Sequence, residues 1–207
     1  MLSDKVDTSN TIKNIVLIGV GGQGTILVSK IITSALVAAS YDVKMSEIHG
    51  MAQRGGSVST QIRYGEKVYS PIIGQGEADI LVAFEKMEAL RGGIYLKPQG
   101  TIVVNNYVIM PIPAASGKIL YPEGIIESLQ KKYTAISIDA GEAAINLGNS
   151  RVMNVVLLGA MVEAYDMAEL DWDQALKDNI KPHFLDINIK AFAKGRELAA
   201  QANNDAK

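Results

Sequence analysis

Runs of consecutive apolar residues alternate along the chain with stretches in which apolar positions recur at helical spacing, a pattern that predicts an α/β architecture. Asn14-Ile15-Val16-Leu17-Ile18-Gly19 is an unbroken apolar run that stops at glycine, as a central parallel strand covered on both faces would. From Thr25 to Ala39, the residues Ile26, Leu27, Ile31, Ile32, Ala35, Leu36 and Ala39 keep helical spacing. Val43 to Ser46 then reads as a second strand and completes a β-α-β unit. Ser57 to Tyr64 alternates, with Val58, Thr60 and Ile62 on one face and Ser57, Ser59, Gln61 and Arg63 on the other, so a half-exposed strand is expected. Tyr64-Gly65-Glu66-Lys67 can turn the chain into a short strand around Val68-Tyr69, which would make a hairpin inserted in the α/β framework.

Ala78 to Phe84 returns to the buried-strand pattern, followed by a helix over Glu85 to Arg91 that Gly92-Gly93 ends. Thr101 to Asn105 is a further strand. Met110 to Tyr121 contains Pro111, Pro113 and Gly117 and reads as irregular, before a helix near Pro122 to Lys132 and a strand near Ala135 to Asp139. Beyond Gly141, helices are expected over Glu142 to Leu147, Arg151 to Tyr165, Trp172 to Asp178 and Leu185 to Ala200. Asn149-Ser150 suits an N-cap, and Val152 to Leu158 is apolar enough for a helix buried on most sides. The fold class is therefore α/β, three-layer and Rossmann-like, with a mostly parallel sheet, a β-hairpin insertion and C-terminal helices. Residues 1–11 and 201–207 lack hydrophobic pattern and read as flexible ends of a single domain over 12–200.

Composition narrows the chemistry. Twenty Lys plus Arg against 22 Asp plus Glu, in 207 residues, leave a net charge of -2 and no field to recruit nucleic acid. There is no cysteine, so disulfides, thiolate nucleophiles, Cys-held zinc and Cys-ligated iron–sulfur clusters cannot reside in this chain. With only His49 and His183 as imidazoles and no ligand spacing around them, no metal is expected. No apolar run approaches the roughly 20 residues needed to span a bilayer, and the N-terminus lacks a signal-peptide pattern; a cytoplasmic protein is the default expectation.

Gly19-Val20-Gly21-Gly22-Gln23-Gly24 fits G-x-G-x-x-G and lies between a buried strand and a helix, where that pattern has physical meaning. Glycines permit a sharp turn and close ligand approach, and the free N–H groups of the helix start attract anionic oxygen. The same glycines could instead serve helix–sheet packing or a protein contact. Glu47 stands where a dinucleotide fold places its ribose acid, which keeps NAD binding as a competitor. A second polar, Gly-rich loop follows at His49-Gly50-Met51-Ala52-Gln53-Arg54-Gly55-Gly56, close to the first across the carboxyl ends of the sheet. Arg54 can hold a carboxylate or phosphate bidentately, Gln53 can donate or accept, and His49 can titrate near neutrality; a solvated loop or subunit contact is the competing reading. Arg63 and Lys67 read as solvated, and Asn105-Asn106 as a turn signal.

Together the first glycine loop, Glu47 to Gly56 and Ala78 to Glu85 resemble, in order and spacing, the gamma-type domain of 2-oxoacid:ferredoxin oxidoreductases over roughly residues 12–200. The second loop is most like that of the indolepyruvate ferredoxin oxidoreductase branch, which reads His-Gly-Met-x-Gln-Arg-Gly-Gly. The resemblance implies a thiamine-dependent conversion of an arylpyruvate and coenzyme A to aryl-acetyl-CoA and carbon dioxide, with ferredoxin as electron acceptor of the complex. It further implies that thiamine diphosphate, Mg and iron–sulfur clusters reside on a partner alpha subunit. This chain has neither cysteine nor the Gly-Asp-Gly…Asn-Asn pattern that holds thiamine diphosphate. It would be inactive alone, with no residue in covalent chemistry. Gly19, Gly21, Gly22, Gln23, Gly24 and Arg54 would contact the cofactor phosphates, and His49, Gln53 and Gly55 would face the substrate at a shared site. A free-standing NAD or flavin enzyme and a non-catalytic scaffold are the alternatives.

Overall fold

The computed structural model describes residues 12–50 and 55–205. Six strands form one sheet: β1 (Lys13–Val20), β2 (Asp42–His49), β3 (Ser57–Gly65), β4 (Ala78–Ala83), β5 (Leu96–Asn105) and β6 (Thr134–Ile138). Their order is β2-β3-β1-β4-β5-β6, with β1, β4, β5 and β6 mutually parallel and β3 antiparallel to both its neighbours. The helices are α1 (Thr25–Ala38), α2 (Lys86–Gly92), α3 (Ile112–Ala115), α4 (Ile125–Gln130), α5 (Ala140–Asn146), α6 (Met153–Ala164), α7 (Trp172–Asn179) and α8 (Pro182–Asp205).

The two-residue period of β1 divides its side chains between two cores. Ile15 and Leu17 pack with α1, α6 and α8, whereas Val16 and Ile18 pack with Ala89 of α2 and with Ile125 and Leu129 of α4. Both faces are thus covered, which is why the run carries no polar alternation. The expected buried helix is α6: every residue from Val155 to Val162 is buried, mostly against α8. At that crossing a Cβ on Gly159 would lie 2.0 Å from the Phe192 carbonyl oxygen, and one on Gly195 1.9 Å from that of Val156. The helices touch backbone to backbone.

Several expectations are corrected. First, the inserted hairpin is β2-β3; Val68-Tyr69 forms no strand, and β3 enters between β1 and β2, so β2 runs parallel to β1 without touching it. The short connection over 50–56 favours an antiparallel return, since a parallel neighbour needs a crossover. Second, β3 is not half-exposed. The 66–77 connection packs over its polar face, where the Gln61 carboxamide oxygen accepts from the Ile73 N–H at 2.8 Å and Arg63 donates to the Ile72 carbonyl at 2.9 Å and to Asn14. Arg63 is a staple for that connection, not a solvated charge. Lys67 lies 3.9 Å from Asp42. In addition, α8 continues to Asp205, beyond the helix end expected at Ala200. Residues 1–11 lie outside the described residues.

Candidate functional site

The glycine-rich turn leaves β1 at the carboxyl edge of the sheet and enters α1 through Gly24, whose φ of +83° is left-handed; Gly22 is likewise at +104°. Glycine is favoured at both, since other residues pay a steric penalty there. The turn is braced from inside. Gln23 accepts from the Val20 N–H at 2.7 Å and donates to the Phe84 carbonyl at 3.0 Å, tying the ends of β1 and β4 together. A Cβ on Gly19 would meet Gln23 Oε1 and Phe84 Cβ, each at 2.9 Å, so Gly19 serves close packing. Asn154, on α6, donates from Nδ2 to the Gly24 carbonyl at 3.2 Å.

The two Gly-rich loops meet. Gly21 donates to the Gly56 carbonyl at 2.9 Å, and Gly55, at φ +78°, donates back to the Gly21 carbonyl at 3.4 Å. These bonds extend the β1-β3 ladder by one step and make a ledge of paired glycine backbone. A cleft opens on each side. One, of about 380 Å³, is lined by Gly21, Gly22, Gly24, Thr25, Ile26 and His49 with Val58 and Thr60 as its floor. The other, of about 670 Å³, is walled by Gly21 to Gly24, Asn105, Tyr107, Ile109, Arg151 and Asn154, among others.

His49 is exposed at the end of β2, its Nε2 4.0 Å from Glu47 Oε2. Gln53 and Arg54 lie outside the described residues; Arg54 directly precedes Gly55 in sequence. Glu47 pairs in register with Thr60 of β3. With β3 interposed, β2 is two inter-strand spacings, about 10 Å, from β1. An acid that must reach a ribose bound over the β1 turn belongs on the neighbouring strand.

Sequence reasoning missed Tyr107, Arg151 and Asn154, and assigned nothing to Asn105. Asn105 is buried, donating to the Phe84 carbonyl at 3.2 Å and accepting from the Ala140 N–H at 3.1 Å, so it joins the ends of β4 and β5 to the start of α5. A lone Asn at the head of the apolar run Val155 to Val162 was a readable signal for Asn154, because an amide is buried there only if bonded. Arg151 gave no comparable signal. Among the described residues no group of three or more acidic or histidine side chains could hold a metal, and the chain has no cysteine for a cluster. No helix among the described residues is long and apolar enough to cross a membrane.

The fold is an α/β domain in which two glycine loops pair at the carboxyl edge of the sheet. Residues 14–198 match the model of the pyruvate ferredoxin/flavodoxin oxidoreductase family, and the chain belongs to that family as a subunit of a 2-oxoacid:ferredoxin oxidoreductase. Indolepyruvate oxidoreductase subunit IorB of Methanothermobacter thermautotrophicus is 38% identical over 91% of this chain and 98% of its own length. The protein of that name from Pyrococcus horikoshii is 34% identical, covering 92% of this chain and 98% of its own. The gamma subunit of a keto/oxoacid ferredoxin oxidoreductase from Geobacter sulfurreducens shares the fold, with a TM-score of 0.68 at 23% identity over 91% of this chain and 99% of that one. So does a 2-oxoglutarate:ferredoxin oxidoreductase from Magnetococcus marinus, solved with 2-oxoglutarate, coenzyme A and succinyl-CoA bound, with a TM-score of 0.71 at 24% identity. This chain matches 31% of that larger polypeptide and 92% of itself. These relatives are named as subunits of larger enzymes.

Proposed function

We propose that this chain is the subunit without redox centres of a thiamine-dependent, cytoplasmic complex that converts arylpyruvates, indolepyruvate foremost, and coenzyme A into aryl-acetyl-CoA and carbon dioxide while reducing ferredoxin. Thiamine diphosphate, Mg and the iron–sulfur clusters are assigned to an alpha subunit, where the carbon and electron chemistry occurs. The names of relatives at 34% to 38% identity favour the aryl substrate. The observation that carries the reading is the ledge: Gly21 bonded to Gly56 leaves a strip of backbone that a phosphate or pantetheine chain can approach without meeting a Cβ. On this reading Gly19 to Gly24 shape the cradle, with Gln23 bracing it from within. Arg54 neutralises a phosphate, and His49, Gln53 and Gly55 border the shared entrance. Their work is binding, orientation and exclusion of water.

The displaced Glu47 disfavours the free-standing NAD enzyme. The test is Arg54→Ala in the assembled complex. A bidentate charged contact predicts a loss of about 1.5 to 3 kcal/mol in kcat/KM for coenzyme A with assembly intact. Unchanged kinetics would favour a scaffold, and tight NAD binding to the purified chain in a calorimeter would reverse the assignment.

A further inference from the structure

The segment Ala78 to Glu85 is part of the family resemblance, yet its last residue has no role in the reading above. Glu85 and Glu88 bracket the start of α2, and their carboxylates are almost wholly buried, at 1% and 2% exposure. Burial of a carboxylate is costly unless donors surround it, so their partners are informative. Glu85 Oε2 caps α2 by accepting the Glu88 N–H at 3.0 Å. Its Oε1 accepts from the Ile109 N–H at 3.2 Å and the Tyr121 hydroxyl at 2.9 Å, and the Lys86 N–H donates to the Tyr107 carbonyl at 3.0 Å. Both ends of the 107–121 connection are thereby held. Burial and this hydrogen bond push the Tyr121 phenol well above its ordinary value, so it stays a donor. Glu88 reaches elsewhere: it accepts from the Ser57 hydroxyl, beside Gly56, and pairs with the Arg91 guanidinium.

We propose that Glu85 and Glu88 are positioning residues that set the geometry of the glycine ledge. Through them α2 fastens two separate connections to one short helix: 107–121, which supplies Tyr107 and Ile109 to the larger cleft, and Gly55 to Ser57, which pairs with Gly21. The bond from Glu88 N–H to Glu85 joins the two attachments, so displacement at one is felt at the other. The clamp rests on the proposed function only where coenzyme A kinetics enter.

Hydrogen exchange on the assembled complex tests it, using Ser57→Ala, Ser57→Thr and Tyr121→Phe. Ser57 is exposed, and its substitutions leave the core intact. Losing a hydrogen bond to a carboxylate should speed exchange at the Gly21 and Gly55 amides by about tenfold or more in Ser57→Ala. Ser57→Thr, which keeps the hydroxyl, should restore protection, and Tyr121→Phe should speed exchange at Ile109 and also at Gly55. Unchanged exchange at Gly21 and Gly55 in both deletion variants overturns the clamp, whatever the kinetics. In the same samples, KM for coenzyme A should rise several-fold in Ser57→Ala, with kcat within about twofold and rescue by Thr. Lost protection with unchanged KM would uphold the clamp and refute the assignment of the ledge to coenzyme A.

Discussion

The Asn154 carboxamide bonds to the Gly24 carbonyl across 130 residues of sequence, fixing the start of α6 to the start of α1. It also fills the space beside Gly24, where a Cβ would stand 2.5 Å from Asn154 Nδ2. The glycine turn is therefore shaped by a helix that arrives last in the chain order of its neighbours, and its two left-handed glycines differ in what they tolerate.

Gly24→Ala should destabilise the fold by about 2 to 4 kcal/mol, combining left-handed strain with displacement of Asn154. A Cβ on Gly22 meets nothing within 4 Å, so Gly22→Ala should cost only the backbone strain, about 1 to 2 kcal/mol. Urea unfolding of the two variants measures the difference; equal losses would contradict this account of the turn.

The crossing of α6 and α8 predicts a larger effect far from the site. Gly195→Ala would place a methyl 1.9 Å from the Val156 carbonyl oxygen, and neither helix backbone can retreat without opening the core. A loss of about 3 kcal/mol or more is expected, visible as a lower unfolding midpoint. Gly141→Ala, with no atom within 4 Å of its Cβ, is the matched control and should be close to neutral.

Tyr64 and Tyr165 predict an alkaline limit to stability. Burial, above all, raises both phenols beyond their ordinary value, with Tyr41 adding to Tyr64 and Asp79 to Tyr165. An acid held protonated in the folded state contributes stability that is complete below its unfolded pKa and is lost as pH rises above it. Unfolding free energy should thus be flat in this respect to about pH 10 and fall beyond. Tyr165→Phe should lessen that fall. Its hydroxyl is buried with no hydrogen-bond partner among the described residues, so at pH 7 the variant should be as stable as the parent or more so. A loss above about 1 kcal/mol at neutral pH would show that the hydroxyl is satisfied.

Much of the fold was legible because central strands and amphipathic helices carry their burial in their own period. β1, β4 and α1 lie within a residue or two of where Asn14 to Gly19, Ala78 to Phe84 and Thr25 to Ala39 placed them. The insertion of β3 between β1 and β2 was not legible. Alternation in Val58, Thr60 and Ile62 reports a buried face but not a neighbour, and the cover over Gln61 and Arg63 comes from a connection without periodicity. The meeting of the glycine loops followed from topology, since both leave strands at the same sheet edge. Arg151 and Tyr107 were invisible because they reach the cleft through the short turn Ser150–Val152 before α6 and through the 107–121 connection, which no local pattern encodes. Glu85 and Glu88 look in sequence like ordinary charges of a helix start, and only burial shows what they hold.

The most direct test of the central claim is viologen reduction by this chain, by the proposed thiamine-bearing partner subunit, and by the two purified together. The account predicts no activity from this chain alone and activity from the complex that requires both an arylpyruvate and coenzyme A. Oxidation of arylpyruvates by the isolated chain, or a partner that turns over equally well without it, would contradict the account.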